Sequence, residues 1–289
     1  MLQTGRDGRG ASPTLTCPIC RSTLEAAANA LRCTQGHAFD RAREGYYNLL
    51  VVQHKASLDP GDSKEMVGAR RRVLDAGFYA PMAARTCEIA RRLVEAMDRP
   101  ADPFILDAGC GEGYYLDAIA TSSLGKVKFA GIDISKWAIR AAAKRNPHVL
   151  WAVASNRHLP FASASVDLIL SMFGFPLWDA FAAVQPSGAG MLLVDPGPDH
   201  LIELRSIIYP TVNATAPQPL DAALGHGYRV EDEQRLRFRF DLSSAKQIAD
   251  LLAMTPHAHR APHAGREALA KLSHLALTGD AVFRTLRRG

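Results

Sequence analysis

The sequence predicts an α/β protein in which a doubly wound, mostly parallel sheet is preceded by a small module folded around a metal ion. Three observations carry that expectation. From Phe104 onward, short apolar runs alternate with helical periodicity, the mark of successive βαβ units. A glycine-rich turn, Gly109-Cys110-Gly111-Glu112-Gly113, follows the first of those runs at once. Nearer the amino terminus, Cys17, Cys20, Cys33 and His37 stand at the spacing Cys-x2-Cys-x12-Cys-x3-His, which suits one tetrahedral ion.

Composition narrows the class. With 289 residues, 47% hydrophobic and 22% charged, the chain can bury a sizeable core and is neither a disordered segment nor a small disulfide scaffold. No stretch approaches the roughly 18 to 20 apolar residues of a membrane span. Residues 1–16 read as a flexible polar tail rich in Gly and Ser, so the expected compartment is the cytoplasm. Residues 1–100 hold 15 basic and 11 acidic side chains within a net charge of +5. That mild positive bias is compatible with a polyanionic partner such as RNA.

Residues 17–48 form the expected metal module. Five cysteines, an odd number, argue for thiols used as ligands or packing rather than as a disulfide framework. The two-residue insert in Cys17-Pro18-Ile19-Cys20 lets both thiolates of a turn face one ion, and Gly36 before His37 fits a second tight turn. A redox Cys-x-x-Cys would instead open a helix, which the surrounding Thr, Pro and Gly do not favour. Four protein ligands close the site, so its zinc is structural and holds together a segment too small to fold alone.

Residues 49–100 read as a linker followed by helices. An apolar strand near Tyr46 to Leu50 runs into the turn Asp59-Pro60-Gly61-Asp62. Ser63 caps a helix over 64–76 closed by Gly77, and a second helix spans 81–97 before Pro100. The triplet Arg70-Arg71-Arg72 is either a solvated helix face or a phosphate contact, and the local pattern does not decide between them.

The catalytic unit is expected over residues 101–289. Its first strand, 104–107, ends at Asp107 and enters the glycine turn, where alternate glycines allow a tight strand-to-helix passage and close approach of a ligand to the main chain. A dinucleotide fingerprint would need a glycine at 114, which is Tyr114. The spacing Asp-x-Gly-x-Gly-x-Gly, over Asp107, Gly109, Gly111 and Gly113, is instead that of class I (Rossmann-like) S-adenosylmethionine (AdoMet) methyltransferases. The second strand, 129–133, ends in Asp133, an acid positioned for ribose hydroxyls, and Ser135 caps the helix that runs to Arg145. Further strands are expected at 165–170, 191–194, 235–241 and 282–286, the last of them antiparallel. Cys87 and Cys110 read as packing residues.

Cys17 through His37, Glu44-Gly45-Tyr46-Tyr47-Asn48-Leu49-Leu50, Val52-Gln53-His54-Lys55, Asp59-Pro60-Gly61-Asp62-Ser63 and Leu106 through Tyr115 together resemble the bacterial RlmA family. The match is dense over residues 17–160 and thinner beyond. The resemblance implies methylation of guanine N1 in a hairpin of 23S rRNA, a zinc-bound module for RNA recognition, a homodimer, and AdoMet contacts from Tyr79, Tyr115, Leu116 and His200. Two subgroups modify neighbouring guanines. The Val52-to-Lys55 and Asp59-to-Ser63 segments look more like the housekeeping, guanine-745 subgroup than the 748 subgroup linked to macrolide resistance. The chain departs from the family pattern at Ser171-Met172-Phe173-Gly174-Phe175-Pro176 and Gln185-Pro186-Ser187-Gly188. Guanine N1 must lose a proton, and Asp195, Asp199 and His200 are the candidate acceptors. A small-molecule methyltransferase and a non-catalytic RNA-binding factor are the rival readings.

Overall fold

The computed structural model describes residues 14–52, 57, 59–97, 102–212 and 216–289. Residues 1–13 of the tail expected at 1–16, the Gln53-His54-Lys55 part of the family segment, and Pro100 lie outside these residues. Leu15 and Thr16 are not tail: Leu15 is buried and bridges to Phe161, and Thr16 bridges to Thr23. The metal module is a three-stranded antiparallel ribbon of β1 (Leu24–Ala27), β2 (Ala30–Cys33) and β3 (Ala38–Asp40). Strand β4 (Tyr47–Asn48) then leaves the ribbon.

Helix α1 (Lys64–Asp75) starts where expected, with the Met66 N–H donating to Ser63 Oγ at 3.3 Å. Helix α2 (Ala80–Glu95) follows after Gly77. The alternating unit comprises β5 (Phe104–Ala108), α3 (Tyr114–Ala120), β6 (Lys128–Asp133), α4 (Lys136–Arg145), β7 (Leu150–Val153), β8 (Leu168–Met172), α5 (Trp178–Val184) and β9 (Gly190–Pro196). Past β9 come α6 (Ile202–Ile208), α7 (Asp221–Gly225), β10 (Tyr228–Leu242), α8 (Ala245–Ala253), α9 (His257–Arg260), α10 (His263–Ala270) and β11 (Leu275–Arg288).

The eight-stranded sheet has the order β10-β11-β9-β8-β5-β6-β7-β4, with β11 antiparallel to both its neighbours. This is the doubly wound arrangement with an antiparallel last strand that the sequence predicts. The hairpin is longer than expected: β10 and β11 reach from 228 to 242 and from 275 to 288, paired along most of their length. Strand β7 has only four residues and no alternation to announce it.

Alternate residues of each parallel strand serve two different cores. Ile105, Leu168, Leu170, Leu192 and Val194 meet Val73, Met82, Ile89, Leu116, Ile139, Leu204 and Leu251 on one face. Phe104, Leu106, Ile169, Met191 and Leu193 face the other side, with Phe181, Phe161 and the ribbon residues Leu15, Cys17, Leu24 and Leu31. The ribbon is therefore a wall of the second core, and α1 and α2, expected as part of a linker segment, are a layer of the first. Backbone links seal the contact: β4 pairs in parallel with β7, and the Thr16 N–H donates to the Pro160 carbonyl at 2.9 Å. No helix among the described residues is long and apolar enough to cross a membrane.

Candidate AdoMet site and zinc centre

The ligand atoms of Cys17, Cys20, Cys33 and His37 lie within 4.8 Å of one another. Cys20 and Cys33 sulfurs are 3.6 Å apart, and His37 Nδ1 is 3.3 Å from Cys33 Sγ and 3.6 Å from Cys17 Sγ. A tetrahedron with metal–sulfur bonds of about 2.3 Å has edges of about 3.8 Å, so the donor set fits zinc as it stands. Two turns make it. The Arg21 N–H returns to the Cys17 carbonyl, with Arg21 at φ 64, and the Gly36 N–H returns to Cys33, with Gly36 at φ 82. The Ser22 hydroxyl, 3.0 Å from Cys20 Sγ, favours the thiolate and holds that thiol down at about 6.

The residues expected to bind AdoMet, Asp107, Gly109, Gly111, Gly113 and Asp133, gather at the carboxyl ends of β5 and β6. Gly109, Gly111 and Gly113 all have positive φ (88, 55 and 83), a turn that a residue with Cβ would strain. Gly113 also has no room: a Cβ there would lie 2.7 Å from Trp151 and 2.9 Å from Ala142. At Gly109 a Cβ would reach the space before the Asn156 side chain, 3.7 Å away, so the main chain is open to a ligand there. Asp107 is 1% exposed and its Oδ1 has no hydrogen-bond partner. Burial, and next the Asp133 carboxylate, push its carboxyl up to about 8. An orphaned buried acid beside a glycine turn is what a cationic ligand group would satisfy. Asp133 accepts the Gly111 N–H at 3.0 Å and the Ser135 N–H at 2.8 Å, one on each oxygen, which leaves each a second lone pair for hydroxyls.

The family-implied contacts divide. Tyr79 and His200 meet, with the Tyr79 hydroxyl 3.4 Å from His200 Nε2. His200 Nδ1 accepts the Asp280 N–H at 3.2 Å, which puts the ring hydrogen on Nε2. Burial holds the imidazole down at about 4, so it is neutral at physiological pH. Tyr115 is partly buried beside Tyr114, the ring centroids 5.1 Å apart. The Leu116 side chain is wholly buried in the first core, so only its main chain can meet a ligand.

All three candidate proton acceptors have partners, and they differ in how enclosed they are. Asp195 is clamped by the buried Arg284 guanidinium and accepts from Gln218 Nε2 at 2.9 Å. The neutral His200 has its acceptor nitrogen occupied. Asp199, on the loop after β9, is 36% exposed and faces Arg235 at 2.9 Å and Arg237 at 3.4 Å.

Of the arginine triplet, Arg71 and Arg72 lie on a largely solvated, salt-bridged face as one expectation had it, and Arg70 turns toward the glycine loop. Arg70 pairs with Asp62, Arg71 with Asp75, and Arg72 makes two bonds to Asp250 of α8. The Arg70–Asp62 pair stands over the glycine turn, where a Cβ on Gly111 would be 3.7 Å from Arg70 Nη1. Gly61 seats this lid against β6 and α4, and the Ser135 hydroxyl donates to the Asp62 carbonyl at 2.7 Å. Asn156 and Arg70 border the glycine turn, a place the sequence did not assign to either. The only sequence signal for Asn156 was its position just past a strand too short to recognise.

A glycine cradle with two acids at successive strand ends, joined to a three-thiol, one-imidazole ribbon, defines an AdoMet-dependent methyltransferase with a structural zinc module. Residues 15–58 match the family described as "RlmA, N-terminal", and residues 105–185 match "Methyltransferase domain". A protein of Micromonospora griseorubida with the provisional name 23S rRNA (guanine-N(1)-)-methyltransferase is 34% identical over 85% of this chain and 87% of its own. One of Bacillus subtilis, under the same provisional name, is 33% identical over 91% and 93%. The 23S rRNA (guanine(748)-N(1))-methyltransferase of Streptomyces fradiae is 36% identical over 66% of each chain. The chain belongs to the RlmA family.

Proposed function

We propose that this protein transfers the methyl group of AdoMet to N1 of a guanine in a hairpin of 23S rRNA, as a homodimer. The observation that carries the reading is a complete Cys3His centre inside the RlmA amino-terminal match, joined to an AdoMet core in a chain aligned along 85% of its length with a relative named for that reaction.

Bound AdoMet supplies an electrophilic methyl group on a sulfonium. The chain's own task is to orient the two partners, exclude water and accept the N1 proton. Asp107 takes the donor's amino group, Asp133 its ribose hydroxyls, and the main chain at Gly109, Gly111 and Leu116 closes around it. Tyr79 and Tyr115 wall the pocket, and His200 holds the Tyr79 hydroxyl through Nε2–H. Asp199, the least enclosed of the three candidates, accepts the proton.

For the position, the Asp59-to-Ser63 segment supports the guanine-745 assignment, whereas the Streptomyces fradiae relative favours guanine 748. Labelled AdoMet and 23S rRNA lacking the modification, followed by nucleoside analysis and primer extension, test both. The expected result is N1-methylguanosine and a reverse-transcription stop at 745; a stop at 748 moves the assignment, and AdoMet binding without transfer to RNA refutes the RNA reading. Asp199→Asn should slow single turnover roughly a hundredfold; an unchanged rate gives the proton to solvent instead.

A further inference from the structure

Phe175 is 81% exposed, more than any other large apolar side chain among the described residues. A single exposed aromatic needs no explanation, but the backbone that presents this one is unusual. Two residues earlier, Phe173 has φ 55, a left-handed conformation that penalises any residue with a Cβ and persists only where the surroundings impose it. Here they do. The Phe173 N–H donates to the Val194 carbonyl at 2.8 Å, and the Gly174 carbonyl accepts from Gln218 Nε2 at 2.7 Å. The same Gln218 nitrogen donates to Asp195, which Arg284 clamps from β11. A buried polar chain from β11 through β9 therefore fixes the loop that follows β8.

The loop stands between two sites. Inward, the Phe173 ring lies 5.7 Å from the His200 ring, itself in contact with Tyr79. A Cβ on Gly174 would be 3.8 Å from the Ala108 carbonyl, at the start of the glycine cradle. Outward, Pro176 and Leu177 line a groove of about 800 Å³ shared with the ribbon, whose walls carry Arg21 and Arg157 together with His226, which pairs with Asp179. This loop is also where the sequence leaves the family pattern.

We propose that Phe175 is a stacking platform for an unpaired base of the RNA substrate, and that Phe173 with His200 forms the inner wall against which the reacting base lies. The proposal rests on the RNA methylation reading above. Guanine N1 sits on the edge used in base pairing, so the base must be unpaired and drawn from its stack before it can be methylated. An unstacked base is stabilised by the face of an aromatic ring, and Arg21 and Arg157 in the groove beside Phe175 suit the phosphates that accompany it.

The test uses the full-length zinc-loaded enzyme with unmethylated 23S rRNA and the variants Phe175→Ala, Phe175→Leu, Phe175→Trp and Phe173→Gly. Both Phe175→Ala and Phe175→Leu should raise KM for RNA roughly tenfold with little change in kcat, while AdoMet affinity and melting temperature stay as in the wild type. Phe175→Trp should restore KM. Phe173→Gly relieves the left-handed strain but gives up the ring's packing against the first core, so the readout is catalysis in the folded variant. The inner wall predicts a lower kcat with AdoMet affinity retained, and a merely structural residue predicts full kcat. Wild-type behaviour of Phe175→Leu or Phe175→Ala would overturn the platform, and full kcat in Phe173→Gly would overturn the inner wall. In either case, continued methylation by the wild type leaves the RNA reading standing. A wild type that binds AdoMet but methylates no RNA would sink that reading and the platform together.

Discussion

Asp107 sits where two requirements conflict, since its strand end must be buried to close the sheet and its carboxyl must be charged to hold a cation. Burial and Asp133 push it up to about 8, whereas in the unfolded chain it ionises near about 3.9. Between those values the native state keeps a proton that the unfolded state has released, so this group's contribution to stability falls as pH rises from about 4 to about 8 and is level beyond. Asp107→Asn removes that dependence. The variant should melt several degrees above the wild type at pH 8, with little difference near pH 4, and should bind AdoMet weakly. Titration calorimetry in buffers of different ionisation heat should show a proton released when the wild type binds AdoMet at pH 7, and none for the variant. Equal proton release by both proteins would show that Asp107 is not the group that ionises. The sequence marked Asp107 and Asp133 because each stands at the end of its own strand in two successive strand-turn-helix units. It could not show that Asp195 is tied to Arg284, 89 residues away, because nothing local in either segment records the pair.

Short elements were legible when their own residues carried the signal. Ser63 and Ser135 cap their helices as expected, and both metal turns follow from four ligands at fixed spacing. The Asp59-to-Asp62 turn was recognised as a turn, but its role as a lid over the glycine cradle depends on contacts with β6 and α4. Gly61 makes that role testable. It has φ 83, and a Cβ there would come within 2.9 Å of Ile134 Cγ2, Ser135 Cβ and the Ser135 nitrogen. Gly61→Ala must therefore lift the turn, at a cost of about 1 to 3 kcal/mol. Because Asp62 and Arg70 move with it, AdoMet should bind at least several-fold more weakly in calorimetry. A variant less stable but unchanged in AdoMet affinity would reduce the lid to a packing element. The arginine triplet shows the limit of reading a helix alone: its partners are Asp62, Asp75 and Asp250, and the last lies on a helix the sequence pattern did not resolve.

At the scale of the whole molecule, the two modules expected as separate units share a core and a sheet. Leu15, Leu24 and Leu31 of the ribbon segment pack in one cluster with Phe161, Ile132 and Ala152 of the catalytic body, and β4 completes the sheet against β7. Hydrophobic period along each strand made the parallel sheet predictable, and the apolar strand expected near Tyr46 to Leu50 forms β4, but nothing in it shows that it adds to the sheet beside β7. The consequence separates two ways of disabling the ribbon. Cys33→Ser removes one zinc ligand, so β1–β3 should lose their order, as small metal modules do without their ion. The β4–β7 pairing and Leu49 are still supplied by the chain, and AdoMet affinity should stay near the wild-type value. Deleting residues 1–48 strips β4 from the sheet edge and bares the apolar surface of Phe161, Ile132 and Ala152. Exposed edges and apolar patches of that kind drive association. Loss of ribbon order also uncovers part of the second core, so Cys33→Ser should itself melt below the wild type. The deletion, which in addition bares the β7 edge, should melt lower still and sediment as aggregates, while Cys33→Ser still binds AdoMet and loses RNA methylation. Equal melting temperatures for the two, with a monodisperse deletion, would mean that the catalytic body closes its own second core and that the ribbon is an appendage rather than a wall.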